Sequence, residues 1–206
     1  MWLFVIITVL AGYLLGNLNG AVYMSRLMGD DVRTHGSGNA GLTNFIRNYG
    51  AGRSVLVIVI DASKAVVACL LGGILLGKYI GFESGAALGG AAVMLGHVFP
   101  VFLGFRGGKG ILSGLFVAIM VDWRVAMLIL AVFAVAYFAT QYVSLGSVLA
   151  AVTFGLGFII LHNENLTVML CGVFMSALAT FMHWRNILRL VKGQERKTNL
   201  FKKDKE

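Results

Sequence analysis

Three short stretches of this chain carry most of its chemistry. GSGNAGLTNFIR runs from Gly36 to Arg47, GHVFPVFLGFRGGKG from Gly96 to Gly110, and HWRNILRLVKGQE from His183 to Glu195. In the first, closely spaced glycines permit positive φ and expose backbone N–H groups, which in such turns form nests for anions. Ser37, Asn39, Thr43 and Asn44 add side-chain donors, and Arg47 has a guanidinium suited to bidentate phosphate binding. In the second, Gly107 and Gly108 precede Lys109, a point charge that suits phosphate. The stretch is not a Walker loop. That pattern needs glycine where Leu103 stands and Ser or Thr where Gly110 stands. In the third, a helix puts His183 and Asn186 on one face at i, i+3.

Each stretch also has a plainer reading. Ser, Thr and Asn fill loops and helix caps, Arg106 and Lys109 serve as topology anchors, and His183 suits a membrane interface. His97, in an apolar context, reads as a packed, hydrogen-bonded histidine. Asp61 and Lys64, at i, i+3 in an apolar run, read as an ion pair that positions helices, because charges inside a membrane are costly. In YVSLGS, Ser144 and Ser147 can cap a helix or donate to a ligand.

The elements that must position these residues are apolar helices. The chain has 206 residues, of which 58% are hydrophobic and only 13% charged, about half the charge usage of soluble domains. Its 27 glycines and single proline fit helices that approach closely in lipid. The two cysteines, Cys69 and Cys171, lie far apart in apolar segments and imply neither a disulfide framework nor a metal pair. No cleavable signal peptide is evident, since Met1-Trp2-Leu3 lacks a basic leader. Seven spans are expected, at 2–24, 54–77, 84–102, 111–121, 125–141, 144–161 and 166–184. The fourth is short, and the third is kinked or unwound near His97 and Pro100. Fourteen of the 17 basic residues then fall on one side, only Lys78 and Arg124 on the other, and Lys64 within a span. This charge bias puts the C-terminus in the cytoplasm and the N-terminus outside. The expected fold is therefore an all-α integral membrane protein, a seven-transmembrane-helix bundle. Residues 1–190 form one transmembrane domain, and 191–206 a basic cytoplasmic tail. The net charge of +8 points to anionic lipid rather than nucleic acid. All three polar stretches share the cytoplasmic face.

Taken together, the three stretches resemble the bacterial acyl-phosphate:glycerol-3-phosphate acyltransferase family, known as PlsY. The family pattern runs GSGNxGxTNxxR, GHxxPxxxxFKGGKG and HxxNIxRLxxGxE, in the order found here. Arg106 stands where Lys is usual, Leu42 where Ala is usual, and Trp184-Arg185 in a segment that is often polar or acidic. The resemblance implies transfer of an acyl group from acyl phosphate to sn-glycerol 3-phosphate at the cytoplasmic face of the bacterial inner membrane. The products are 1-acyl-glycerol 3-phosphate (lysophosphatidic acid) and phosphate, in phospholipid biosynthesis, with no metal or other cofactor. Carried over by position, Ser37, Gly38, Asn39, Asn44, Arg47, Gly107, Gly108 and Ser147 bind substrate, and Lys109, His183 and Asn186 are catalytic. Two rivals remain from the residues themselves. One is a transporter or channel for a phosphate-bearing anion, for which inverted repeats are missing. The other is a head-group phosphotransferase, for which an aspartate cluster is missing.

Overall fold

Ten α-helices and two short 3₁₀ turns make up the computed structural model, which describes residues 1–198. In order they are α1 Trp2–Gly16, α2 Gly20–Leu27, α3 Leu42–Tyr49, α4 Ala51–Ile80, α5 Phe82–Val98, α6 Ile111–Val121, α7 Trp123–Thr140, α8 Val143–Leu161, α9 Leu166–Met182 and α10 Trp184–Val191. The 3₁₀ turns are Val32–Thr34 and Val101–Leu103, and the described residues contain no strand.

Length and composition separate the helices that can cross a membrane alone from those that cannot. Four segments qualify: α4, the stretch Phe82–Leu103 that holds α5, α7 and α8. The count rises to six if α1 with α2 and α9 with α10 are each one span; these pairs bend by 41° and 55°. At 1.5 Å per residue α6 is only about 16 Å long, short of the roughly 30 Å hydrocarbon core. The expected first span thus divides at Asn17–Asn19, and the expected fourth remains a short helix. The third expected span unwinds where anticipated. Helix α5 stops at Val98, and Pro100 caps the following 3₁₀ turn.

Helix α5 is the centre of the bundle. Its sequence, FESGAALGGAAVMLGHV, is rich in small residues, and most of them are buried. The reason is visible at Gly72 and Gly85. A Cβ on Gly72 would lie 2.1 Å from the Gly85 carbonyl oxygen, and one on Gly85 would lie 2.3 Å from that of Gly72. The backbones of α4 and α5 therefore touch, as small residues permit in lipid. Around α5 the main core joins α4, α6, α7, α8 and α9 through Val93, Met94, Val117, Val125, Phe154 and Phe158, among others. A second, smaller core of Ala21, Val22, Val32, Ala40, Phe45, Val57 and Leu103 anchors α2, α3 and the polar loops onto the start of α4. Large apolar side chains such as Val59, Ile74, Met127, Leu128, Val135 and Phe138 point outward. Such a surface is a liability in water and a natural one in lipid.

The Asp61–Lys64 pair is buried and does more than neutralise itself. Lys64 Nζ donates to Asp61 Oδ1, to the Leu18 carbonyl and to His97 Nδ1, each at 2.7 Å. Asp61 Oδ1 also accepts from the Gly20 backbone N–H at 3.2 Å. One ammonium thus ties the α1–α2 break to α4 and to the last turn of α5. Removing one member of a buried pair strands the other charge, at a cost of about 3–5 kcal/mol. Asp61→Ala should therefore lower the melting temperature in detergent sharply. Asp61→Ala combined with Lys64→Met should recover part of the loss, and equal losses in the two proteins would contradict the pairing.

Candidate active site

Breaks in the helices build the polar end of the bundle. In the loop before α3, Gly36 and Gly38 adopt φ of +59° and +69°, values that side chains disfavour. Asn44, on the first turn of α3, organises this loop. Its Oδ1 accepts from Ser37 N at 3.0 Å, and its Nδ2 lies 2.9 to 3.1 Å from the carbonyls of Val32, His35 and Asn39. Asn19, in the α1–α2 break, holds the Ala40 carbonyl at 3.0 Å, and Arg33 reaches across to the Leu103 carbonyl at 3.0 Å. Asn17 Oδ1 accepts from Phe102 N at 3.1 Å. The first and second polar stretches are thus fixed to one another through the broken first span.

Between them lies a cavity of about 570 Å³. Ser37, Asn39, Asn44, Arg47, Lys109, Ser147, His183 and Asn186 all line it. Helices α3 and α6 both begin at its wall, through Gly41, Leu42 and Thr43 and through Gly110, Ile111 and Leu112. Neither helix has a side-chain cap. First-turn N–H groups and two helix dipoles are therefore available to an anion. Arg47, Lys109, Arg189 and Arg196 add positive charge around the same space, and Leu115, Ile129, Leu130 and Phe133 make an apolar wall beside it.

Three expected ligands are not brought to the wall: Gly38, Gly107 and Gly108. Their N–H groups are already committed, Gly38 to the His35 carbonyl at 2.9 Å, Gly107 to Val98 at 3.2 Å and Gly108 to His97 at 3.1 Å. These glycines shape the loops and let Lys109 approach; they do not offer donors to a ligand. Asn44 reaches the cavity, but its amide serves the loop. Ser147 Oγ donates to the Val143 carbonyl at 2.9 Å, which leaves its oxygen lone pairs facing the cavity.

The third stretch sits at the 55° bend between α9 and α10. His183 is buried, with Nδ1 2.8 Å from the Ala179 carbonyl. A carbonyl only accepts, so Nδ1 carries the proton and Nε2 is left as an acceptor when the ring is neutral. The interfacial reading of His183 gives way to a buried one. Lys109 Nζ donates to Asn186 Oδ1. Asn186 Nδ2 in turn donates to Glu195 Oε1 at 3.0 Å, while Arg189 Nε donates to Glu195 Oε2 at 2.6 Å. Gln194, Glu195 and Arg196 also line the cavity, and Arg47 donates to Thr198 Oγ1. Thr198 is held further by Gln141 and Tyr137. Residues 194–198 thus lie over the site. The rest of the expected basic tail, 199–206, lies outside the described residues. Burial, with help from Arg189 and Arg47 and against Glu195, pushes the Lys109 ammonium down to about 8.

Sequence reasoning did not single out Glu195, Thr198 or the apolar wall. Glu195 had a signal, as the last residue of the third motif. Thr198 had none, because its partners Arg47, Tyr137 and Gln141 are distant in the chain.

A helical membrane bundle with an anion-receptive cavity set against an apolar wall is the class that these features define. The family model for glycerol-3-phosphate acyltransferase matches residues 6–193. The glycerol-3-phosphate acyltransferase of Thermoanaerobacter sp. (strain X514) is 37% identical over 196 residues, covering 95% of this chain and 96% of its own. That of Anaeromyxobacter dehalogenans (strain 2CP-C) is 40% identical over 193 residues, covering 93% and 96%. The crystal structure of PlsY (YgiH), an integral membrane glycerol 3-phosphate acyltransferase, in its glycerol 3-phosphate form superposes with a TM-score of 0.85. It shares 32% identity, over 96% of this chain and 99% of that one. Its lysophosphatidic acid form gives 0.83, also at 32% identity. This chain belongs to the glycerol-3-phosphate acyltransferase family and is an integral membrane protein.

We expect anion binding at this cavity to depend on pH through the lowered Lys109 ammonium. Above about 8 the free protein loses this charge, so affinity should fall as pH rises. Inorganic phosphate should bind roughly tenfold more weakly at pH 9.5 than at pH 7.5, since each pH unit past the titration removes up to tenfold of the charged form. Lys109→Arg, which stays charged, should bind equally at both. Calorimetric titration in detergent measures both, and an equal fall in the variant would place the titration elsewhere.

Proposed function

We propose that this protein transfers an acyl group from acyl phosphate to sn-glycerol 3-phosphate, giving 1-acyl-glycerol 3-phosphate and inorganic phosphate. The observation that carries the reading is the joint arrangement of the cavity. Cationic side chains and two uncapped helix starts meet at one part of its wall, and an apolar surface lies alongside. Both substrates are phosphoryl anions, and one carries a long hydrocarbon chain. The relatives supply the acceptor, since the matching crystal structures are of glycerol 3-phosphate and lysophosphatidic acid forms.

Acyl phosphate is an activated mixed anhydride, so the reaction needs no protein nucleophile. The glycerol hydroxyl attacks the acyl carbon, the new ester C–O bond forms, and the bond from acyl carbon to phosphate oxygen breaks. Phosphate leaves with the electron pair. In this reading Arg47, Lys109 and the donors of Ser37 and Asn39 hold phosphate charge, and Asn186 fixes the Lys109 ammonium. His183 Nε2 accepts the hydroxyl proton. Ser147 accepts a hydrogen bond from the glycerol part of the substrate. Leu115, Ile129, Leu130 and Phe133 receive the acyl chain. Preorganised charge and positioning supply most of the rate.

We place the cavity on the cytoplasmic side of a bacterial inner membrane, with seven spans if α6 counts as one. The charge bias across the loops supports this orientation. A Lys192→Cys protein should react with a membrane-impermeant maleimide in inverted vesicles and not in intact spheroplasts.

Purified protein should release phosphate and acylated product from long-chain acyl phosphate plus glycerol 3-phosphate. Activity with acyl-CoA and none with acyl phosphate would overturn the donor. Lys109→Ala and Ser37→Ala should each cost about 10²–10³ in kcat/KM, as loss of a charge-stabilising donor does. His183→Ala should lower kcat by about 10²–10⁴.

A further inference from the structure

His97 lies at the end of α5, 4% exposed, and it lines the cavity. Its Nδ1 receives a hydrogen bond from the Lys64 ammonium at 2.7 Å. The other two protons of that ammonium go to Asp61 and to the Leu18 carbonyl. An ammonium has donors only, so Nδ1 must be the acceptor and the ring must carry its proton on Nε2. Nε2 makes no hydrogen bond among the described residues. Only glycine fits against the ring at position 108: a Cβ there would lie 2.2 Å from Nε2 and 2.8 Å from the Ala40 carbonyl oxygen. An N–H with no protein partner is open to a ligand, and this one belongs to a ring that lines the same cavity as Lys109 and the uncapped helix starts.

We propose that His97 is a substrate-binding residue, a neutral imidazole that Lys64 holds as an Nε2–H donor to an oxygen of the bound phosphoryl group. It is a donor and not a base, because Nε2 already carries its proton and Nδ1 faces an ammonium. The role rests on the phosphoryl-substrate reading above, but it does not depend on which acyl donor is used.

The test separates this role from packing. His97→Asn keeps an oxygen where Nδ1 stands, so Lys64 stays satisfied, but it has nothing at Nε2. His97→Gln restores an N–H near the Nε2 position. In wild-type protein with ¹⁵N-labelled histidine, His97 should show the neutral Nε2–H tautomer, and inorganic phosphate or glycerol 3-phosphate should shift its Nε2 signal. In the acyltransfer assay His97→Asn should lose roughly tenfold to a hundredfold in kcat/KM, the equivalent of one hydrogen bond to a charged group. His97→Gln should recover part of it. Wild-type kcat/KM in a folded His97→Asn protein, or an Nε2 signal unmoved by saturating phosphate, overturns the proposal. If His97→Asn does not fold, the labelled wild-type spectrum alone decides. A wild-type protein that ignores acyl phosphate defeats the donor assignment and leaves the phosphate titration valid.

Discussion

The structure depends on one ammonium group with three acceptors. Lys64 sits in the low-dielectric interior, where an unpaired charge is not tolerable, so its three protons dictate what must surround it. Asp61 supplies the countercharge from the same helix. Leu18 offers a carbonyl only because the chain breaks between α1 and α2 and frees it from helical bonding. His97 supplies an imidazole nitrogen from the last turn of α5. Once these three are fixed, so are the neighbours Asn17, Asn19 and Gly20, and through them Phe102, Ala40 and Asp61. The loops that precede α3 and α6 inherit their positions from a charge that touches neither loop directly.

That arrangement gathers positive charge around the cavity beside an apolar wall. Its positive potential is divided among guanidinium groups, one ammonium and two helix starts. Glu195 tempers it by pairing with Arg189 and orienting Asn186. The carboxylate also limits how far Lys109 is driven toward neutrality. A site built from separated donors suits the proposed reaction, whose leaving group is already good, because stabilising charge then matters more than attack by a side chain. In the proposed reaction the adjoining apolar wall would receive the hydrocarbon chain and keep it out of water.

Much of this was legible in the sequence, and the limits have physical causes. Composition and charge bias showed apolar helices and one polar end, and the three motifs named seven residues that meet at one cavity, with Ser147 of YVSLGS an eighth. The expected seven spans meet four helices that can cross alone, or six with each bent pair taken as one, because hydropathy sees composition and not bends. The run 2–24 is mostly apolar, yet Asn17 and Asn19 break it to serve other loops. The glycines misled for a related reason. Gly107 and Gly108 look like exposed donors in a motif, but their N–H groups close the end of α5, which depends on where Pro100 ends the helix. Asp61 and Lys64 were recognised as a pair, yet nothing at i, i+3 reveals a third and fourth partner from α5 and the α1–α2 break.

The two histidines of the cavity show how such partners decide chemistry. Both are buried imidazoles, and by residue type alone they are equivalent. His183 turns Nδ1 toward a carbonyl, which can only accept, so its cavity-facing capacity is to accept a proton. His97 turns Nδ1 toward an ammonium, which can only donate, so its capacity is to donate. The carbonyl comes from the helix that carries His183, one turn earlier. The ammonium comes from another helix and needs the whole Asp61 cluster behind it. The lining of one cavity therefore holds a proton acceptor and a proton donor at the same pH, and what distinguishes them is the partner of Nδ1.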